Sequence, residues 1–142
     1  MGQALLAGGH VVRGTTRSGL EPLSAAGIEA AAADPDRLGT IMSQLAGVSV
    51  VCWLLGSATG DGVADLHGPR LETLLERLVD TPVRGFLYEA AGTVDPELLR
   101  GGAAAVGEAA QRWRISAQVV EADPADHEAW LGAMRAAVER LL

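Results

Sequence analysis

The chain has 142 residues and is 49% hydrophobic and 20% charged, which is typical of one globular domain with a sizeable core. Its formal net charge of -7 argues against nucleic acid as a partner, because binding to phosphates requires a basic face. The sequence shows no apolar run long enough to cross a bilayer and no signal-peptide pattern, so we expect no membrane partner.

In the amino-terminal part of the chain, glycines separate short segments of alternating type. The segment GQALLAG is predicted to be helical and to end at Gly8 and Gly9, since glycine commonly terminates helices. Apolar residues at helical spacing predict a later helix that contains Leu38 and Ile41. In chain order we expect a helix at 2–8, a strand at 10–16, a helix at 20–26, a strand at 28–33 and a helix at 36–46.

The central segment VSVVCWLL, residues 48–55, is almost entirely apolar and rich in β-branched residues. These properties favour a strand that is buried on both faces, as in a parallel sheet. The loop GSATGDG follows it, and Pro96 after Asp95 is favourable at the start of a later helix. The remaining elements are expected to be a helix at 66–79, a strand at 83–89, a helix at 95–114, a strand at 115–122 and a helix from 123.

Strands and helices thus alternate along the whole chain. Such an order is typical of a parallel sheet covered by helices, because parallel neighbours need a crossover connection that is usually helical. We therefore predict an α/β fold with helices on both faces of a parallel sheet. No repeat or linker divides the sequence, so one domain is expected over residues 1–142.

Three stretches of the chain carry a family resemblance, namely GHVVRGTTRS, AGIEAAAADPDRLGTIMSQLAGVSVVCWLLG and VRGFLYEAAGTV. In order and spacing they resemble the atypical short-chain dehydrogenases/reductases and nucleotide-sugar epimerases, which are NAD(P)-binding Rossmann proteins. The resemblance runs from residue 9 to about residue 122. It implies a doubly wound parallel sheet of about five strands, in which the first stretch is the family's second strand with the loop that follows it.

The opening strand of the family and its turn, G-x-x-G-x-x-G, do not occur in this sequence. In the family that turn lets the backbone approach the pyrophosphate at a helix amino terminus, and here it would fall at or before Met1. The chain is therefore expected to be amino-terminally truncated relative to the family. Two explanations are open, an incomplete copy or a complete shortened variant. In the family order the missing strand is central, between the second and fourth strands.

The catalytic pattern of the family is altered as well. The resemblance implies Tyr-x-x-x-Lys with a Ser or Thr, but Tyr88 is followed at the lysine position by Gly92, and the chain contains no lysine. Ala90 or Ala91 stands where the family has Ser or Thr. A phenol without a nearby cation keeps a pKa of about 10 and is a poor base at neutral pH. We therefore expect the usual Tyr/Lys catalysis to be absent.

The loop after the strand at 10–16 is the first candidate binding site. It follows the carboxyl end of a strand, where open α/β sheets bind ligands. A guanidinium group with hydroxyls suits a 2′-phosphate, so the expected cofactor is NADP or NAD, with NADP preferred. A solvated turn is the alternative. The residues of this candidate site are Thr15, Thr16, Arg17 and Ser18.

Four more residues are candidates at other strand ends. By the resemblance Asp34 would flank the adenine, whereas the residues alone also suit a helix cap. Gly56 and Ser57 follow the buried central strand, and their small size would let a cofactor ribose lie against the backbone; a flexible loop is the alternative. Glu89 ends the strand at 83–89 and is a candidate lone acid or base, although solitary carboxylates at strand ends are common.

The other reactive side chains show no site pattern. The three histidines are isolated from one another and from the cysteine, so no metal is expected. Cys52 lies in the most apolar segment and is interpreted as a core residue. As the only cysteine it allows no internal disulfide, which favours a cytoplasmic location.

Three functions remain open at this point. The first is an NAD(P)-binding Rossmann-fold protein related to short-chain dehydrogenases and epimerases, without the Tyr/Lys catalysis. The second is a non-catalytic structural or regulatory domain. The third is an active oxidoreductase or epimerase that uses Glu89 or other groups. The expected partners are a dinucleotide and an unknown small-molecule substrate, and an open sheet with exposed helices is compatible with a homodimer.

Overall fold

A computed structural model describes all residues of the chain, Met1–Leu142. They form two compact units, residues 1–44 and residues 45–142. Each unit is built from parallel strands that are connected by helices. None of these helices combines the length and the apolar character needed to cross a membrane.

The smaller unit contains a two-stranded parallel sheet. Its elements are α1 (Gly2–Ala7), β1 (Arg13–Thr16), α2 (Glu21–Ala25), β2 (Glu29–Ala32) and α3 (Leu38–Met42). The register sets Arg13 opposite Glu29 and Thr16 opposite Ala32. An ion pair between Arg13 Nη2 and Glu29 Oε2, 3.0 Å apart, links the two strands at their amino-terminal ends.

The larger unit contains a three-stranded parallel sheet. Its elements are β3 (Val50–Trp53), α4 (Val63–Leu66), α5 (Pro69–Leu78), β4 (Gly85–Glu89), α6 (Pro96–Trp113), β5 (Ser116–Val120) and α7 (His127–Leu141). The strand order is β3-β4-β5, and every residue of the middle strand is buried. Leu71, Leu74, Leu75 and Leu78 recur at helical spacing on α5 and are also buried. Full burial of one such side chain stabilises the fold by about 1.5–3 kcal/mol.

Helices cover both faces of the three-stranded sheet. Successive side chains of a strand point to opposite faces. The Tyr88 ring lies against Gly102 of α6, whereas the Glu89 carboxylate accepts a hydrogen bond from Trp130 of α7. Helices α6 and α7 therefore lie on opposite faces of β4.

The helix predicted at 66–79 begins three residues later than expected, and a separate short helix that was not predicted precedes it. Helix α4 ends at Leu66, and α5 begins at Pro69, the first residue of a new helix. Proline has no N–H to donate and disfavours the helical conformation in the preceding residue, here Gly68 with φ -132° and ψ -113°. Gly68 and Pro69 are the signal of this break in the sequence. The helix predicted at 36–46 is likewise shorter, Leu38–Met42.

The predicted α/β class with parallel strands is confirmed. A single doubly wound sheet of five strands is not confirmed, because the strands are hydrogen-bonded as two sheets. That residues 1–142 form one domain stays a prediction. Each strand is shorter than predicted, because the hydrogen bonds between neighbouring strands end before the apolar pattern of the sequence does.

Candidate functional site

In the smaller unit, two of the predicted site segments lie at the same edge of the sheet. Strands β1 and β2 are parallel, so their carboxyl ends meet. The pairing continues one step further, since the Ala33 N–H donates to the Thr16 carbonyl at 3.1 Å. Arg17 therefore lies beside the segment that contains Asp34, at the end of the strands where α/β proteins bind ligands.

Arg17 is an exposed cation at this edge. Its side chain is 65% exposed, and Nη1 lies 3.9 Å from Oδ2 of Asp36. An exposed ion pair contributes at most about 1 kcal/mol, so the guanidinium can exchange this partner for a stronger anion. Thr16 and Ser18 form the adjoining turn, in which the Thr16 hydroxyl donates to the Ser18 carbonyl at 2.6 Å. Thr15 points to the opposite face of the strand from Thr16.

Asp34 shapes the turn between β2 and α3. Its Oδ1 accepts the Asp36 N–H at 2.9 Å, and its own N–H donates to the Thr40 hydroxyl at 2.8 Å. The cap residue of α3 is Arg37, so Asp34 does not cap that helix as the alternative interpretation supposed. It forms an Asx turn instead, in which a short acidic side chain bonds the backbone two residues on.

In the larger unit, Gly56 and Ser57 are engaged by the loop that follows β4. The Gly56 carbonyl accepts the Val94 N–H at 3.0 Å, and the Ser57 hydroxyl accepts the Thr93 N–H at 3.3 Å. A Cβ on Gly56 would overlap the Ala91 carbonyl oxygen. The small size of residue 56 is therefore explained by close approach of two loops of the protein itself.

Glu89 is buried at the carboxyl end of β4, with only 4% of its surface exposed. Its Oε1 accepts the Gly56 N–H at 2.9 Å, and its Oε2 accepts the indole N–H of Trp130 at 3.0 Å. Burial raises the pKa of this carboxyl, and the two hydrogen bonds oppose that rise because they favour the charged form. Both oxygens are thus committed to protein donors.

Tyr88 forms a buried pair with His67, a residue for which the sequence predicted no role. The Tyr88 hydroxyl lies 2.6 Å from His67 Nδ1, and His67 Nε2 lies 2.9 Å from the Leu55 carbonyl. A carbonyl only accepts, so Nε2 carries the proton, and in the neutral ring Nδ1 then accepts from the Tyr88 hydroxyl. Burial lowers the pKa of His67, which agrees with a neutral ring.

This pairing makes Tyr88 a structural donor. Burial, and then the negative charge of neighbouring Glu89, raise the pKa of the Tyr88 phenol above its ordinary value. The side chain has no exposed surface. A phenol in this state cannot reach a substrate or give up its proton at neutral pH, for a reason independent of the missing lysine.

Cys52 and the histidines provide no second site. Burial raises the pKa of the Cys52 thiol to about 11, so it remains protonated at neutral pH. His127 stacks on Trp130, with ring centroids 5.8 Å apart. No group of three or more His, Cys, Asp or Glu side chains is placed to hold a metal ion.

We expect Tyr88→Phe to lower the free energy of unfolding by about 1–3 kcal/mol, because it leaves the buried His67 Nδ1 without a donor. Urea denaturation at neutral pH would measure the loss. Ser43→Ala is the control, since it removes an exposed hydroxyl bond to the Thr40 carbonyl and should change stability by no more than about 0.5 kcal/mol. Equal effects of the two variants would contradict the buried pair.

Of the sequence-predicted residues, the structure brings Arg17 to Asp36, Thr16 to Ser18, and Gly56 to Glu89. Three partners were missed: His67 bonds Tyr88, Trp130 bonds Glu89, and Gly92 lies against the Gly56 carbonyl. Trp130 lies 41 residues after Glu89, so no local pattern could connect them.

No protein-family model matches the chain, and no curated protein or solved structure is significantly similar to it.

Proposed function

We propose that this chain is a dinucleotide-binding Rossmann-type protein related to short-chain dehydrogenases and epimerases, without their Tyr/Lys catalysis. It binds NADP in preference to NAD, in the cytoplasm. The pairing of its strands is the observation that carries this proposal. The exposed cation at the carboxyl end of β1 supports the preference for a phosphorylated cofactor.

Strand pairing supports the Rossmann assignment as follows. The strands of a Rossmann sheet lie in the order 3-2-1-4-5-6. In this order the second strand pairs with the third, the fourth with the fifth, and the fifth with the sixth. If β1 to β5 correspond to the second to sixth strands, this order requires β1 with β2, and β3 with β4 and β5. Those are the pairs found, and all are parallel.

The position of Arg17 supports NADP. In such folds the residues just after the second strand contact the ribose that carries the 2′-hydroxyl or the 2′-phosphate. Arg17 directly follows β1 and presents a guanidinium that is 65% exposed. Its neighbour Asp36 lies at 3.9 Å, which is too long for a good charge-assisted hydrogen bond. A phosphate dianion is a stronger and better-shaped partner for the guanidinium.

Both candidate proton-transfer groups are held by the protein, which supports a binding function over catalysis. The Tyr88 hydroxyl is buried and bonded to His67. The Glu89 oxygens hold Gly56 and Trp130. An active oxidoreductase or epimerase would need Glu89 to face a substrate, and its carboxylate is almost fully buried.

Titration of the protein with NADPH and with NADH, followed by nicotinamide fluorescence, tests the proposal. We expect both to bind and NADPH to bind more tightly. Arg17→Ala should weaken NADPH about tenfold, the equivalent of one lost charge-assisted contact of about 1.4 kcal/mol, and leave NADH nearly unchanged.

Arg135→Ala is the matched control, because it removes an equal charge from an exposed position on α7. It should leave both affinities nearly unchanged. An equal loss of NADPH affinity in both variants would show that Arg17 acts only through net charge. Absence of binding by either nucleotide would overturn the proposal itself.

A non-catalytic structural or regulatory domain is the second candidate. The contacts between the loops after β3 and β4 favour it, because Gly56 and Ser57 already bond Val94 and Thr93. These contacts occupy groups that a cofactor ribose would otherwise use. This candidate predicts that NADPH and NADH both fail to bind while the protein unfolds cooperatively.

A further inference from the structure

His67 ties three segments of the larger unit together. It lies between α4 and α5, its Nε2 donates to the Leu55 carbonyl after β3, and its Nδ1 accepts from the hydroxyl of Tyr88 on β4. We propose that His67 is an acid-sensitive lock, which holds residues 55–67 against β4 while its ring is neutral and releases them when the ring is protonated. This inference does not depend on nucleotide binding.

Both ring nitrogens take part in the lock, and the neutral ring satisfies both contacts. Nε2 donates over 2.9 Å to a carbonyl, which cannot donate in return, so Nδ1 accepts from the Tyr88 hydroxyl at 2.6 Å. Protonation places a second hydrogen on the ring, at Nδ1, in the space between that nitrogen and the Tyr88 oxygen. The oxygen can accept it only if its own O–H turns away and loses its acceptor, which is costly for a buried hydroxyl.

The protonated ring would also be a buried charge without a counter-ion. His67 is 2% exposed and forms no ion pair. Burial lowers the pKa of His67, although the bond to the Leu55 carbonyl opposes that fall. A ring released into solvent regains the ordinary histidine value of 6.5. Below this pH the open form takes up a proton and the closed form does not, so opening becomes easier as the pH falls.

The other titratable groups around His67 are neutral, lie nearer the surface, or act with the opposite sign. Burial keeps the Cys52 thiol and the Tyr88 phenol protonated at neutral pH. Burial also raises the pKa of Glu89, so its protonation favours the closed form, against the effect of His67. The charged groups of the neighbouring segments are exposed or half-buried, namely Asp61, Asp65, Arg70, Glu72, Glu97 and Arg100.

The Trp53 indole reports whether the lock opens locally. Its N–H is buried and donates at 3.0 Å to the carbonyl of Leu66, the residue before His67. Release of His67 would carry Leu66 away from the indole and open this N–H to exchange with solvent. The Phe86 amide is the internal control, because it lies in the buried middle strand β4, which is paired on both sides. We expect it to exchange only when the sheet itself opens.

Hydrogen exchange followed by proton–nitrogen NMR tests the lock between about pH 7.5 and about pH 5.5, after correction for the intrinsic pH dependence of exchange. Below pH 6.5 the protection of the Trp53 indole, relative to that of the Phe86 amide, should fall by up to about tenfold per pH unit. Above pH 6.5 the ratio should be constant. A ratio that stays constant over the whole range, whether both groups lose protection equally or neither does, would overturn the lock.

His67→Gln removes the titrating ring but leaves an amide that can donate to the Leu55 carbonyl. Its protection ratio should not change with pH, and the contribution of Glu89 cancels in the comparison with the wild type. His127→Gln is the matched control, because it removes an exposed histidine of the same unit and should keep the wild-type pH dependence. Unchanged pH dependence in His67→Gln would overturn the lock. If that variant does not fold, the wild-type ratio alone decides.

Discussion

Gly102→Ala is expected to destabilise the protein by about 2–3 kcal/mol, whereas Gly101→Ala should stabilise it by about 0.5–1 kcal/mol. The two glycines are adjacent in α6, so both substitutions gain the same helix propensity. They differ in their surroundings. A Cβ on Gly102 would overlap the Tyr88 hydroxyl and ring, and a Cβ on Gly101 would meet no atom within 4 Å.

The overlap at Gly102 is not easily relieved. Tyr88 is fully buried, and its hydroxyl is fixed by a 2.6 Å hydrogen bond to His67. His67 is in turn held to the Leu55 carbonyl. Moving the phenol away from α6 would break this chain of bonds and leave buried polar groups unpaired. The alternative, moving α6 outward, would open a gap above β4.

Urea denaturation of both variants would measure these effects. Both variants gain the same helix propensity, so the difference between their free energies of unfolding reports the contact of residue 102 with Tyr88. Stabilisation of the protein by both substitutions would contradict the close contact between Gly102 of α6 and Tyr88 of β4. The unfolding slope should stay unchanged, because neither substitution alters the surface exposed on unfolding.

Gly92→Ala is expected to destabilise the protein by about 3 kcal/mol or more, because two separate penalties apply. Gly92 has φ +145°, a conformation that residues with a Cβ rarely adopt. A Cβ there would also overlap the carbonyl group of Gly56. That carbonyl is backbone and is bonded to Val94, so it cannot rotate away.

Gly60→Ala is the matched control for Gly92. Gly60 also has a positive φ, +109°, but a Cβ on it would meet nothing within 4 Å. Its substitution should therefore cost only the backbone strain, about 1–2 kcal/mol. Thermal or urea unfolding of the two variants separates strain from overlap. Equal losses would contradict the close approach of the loops after β3 and β4.

The site in the larger unit was only partly predictable from sequence. Gly56, Ser57 and Glu89 were identified as residues at strand ends, which is a local property. Their partners lie 33 to 41 residues further along the chain, as with Gly56 and Glu89 or Glu89 and Trp130. Nothing in the intervening sequence encodes such a contact. His67 was dismissed because no metal-ligand spacing surrounds it, and its partner is a tyrosine brought close by β4.

At Arg17 the sequence was more informative. The residue directly follows a short strand, so its position at a carboxyl end could be read from the chain. The distance of 3.9 Å between Arg17 and Asp36 could not be predicted from the sequence, because it depends on how the segment after β2 turns. The Asx turn at Asp34 sets that path.

The local pattern of glycines, prolines and apolar runs determined which segments are strands or helices and that the strands run parallel. These properties depend on backbone preference and on short connections, both of which act over a few residues. Only the tertiary structure decided where the ladders end, that the strands form two sheets, and that Tyr88 and Glu89 are bound by His67 and Trp130. Burial and hydrogen bonding between distant segments set those outcomes, and they act through space rather than along the chain.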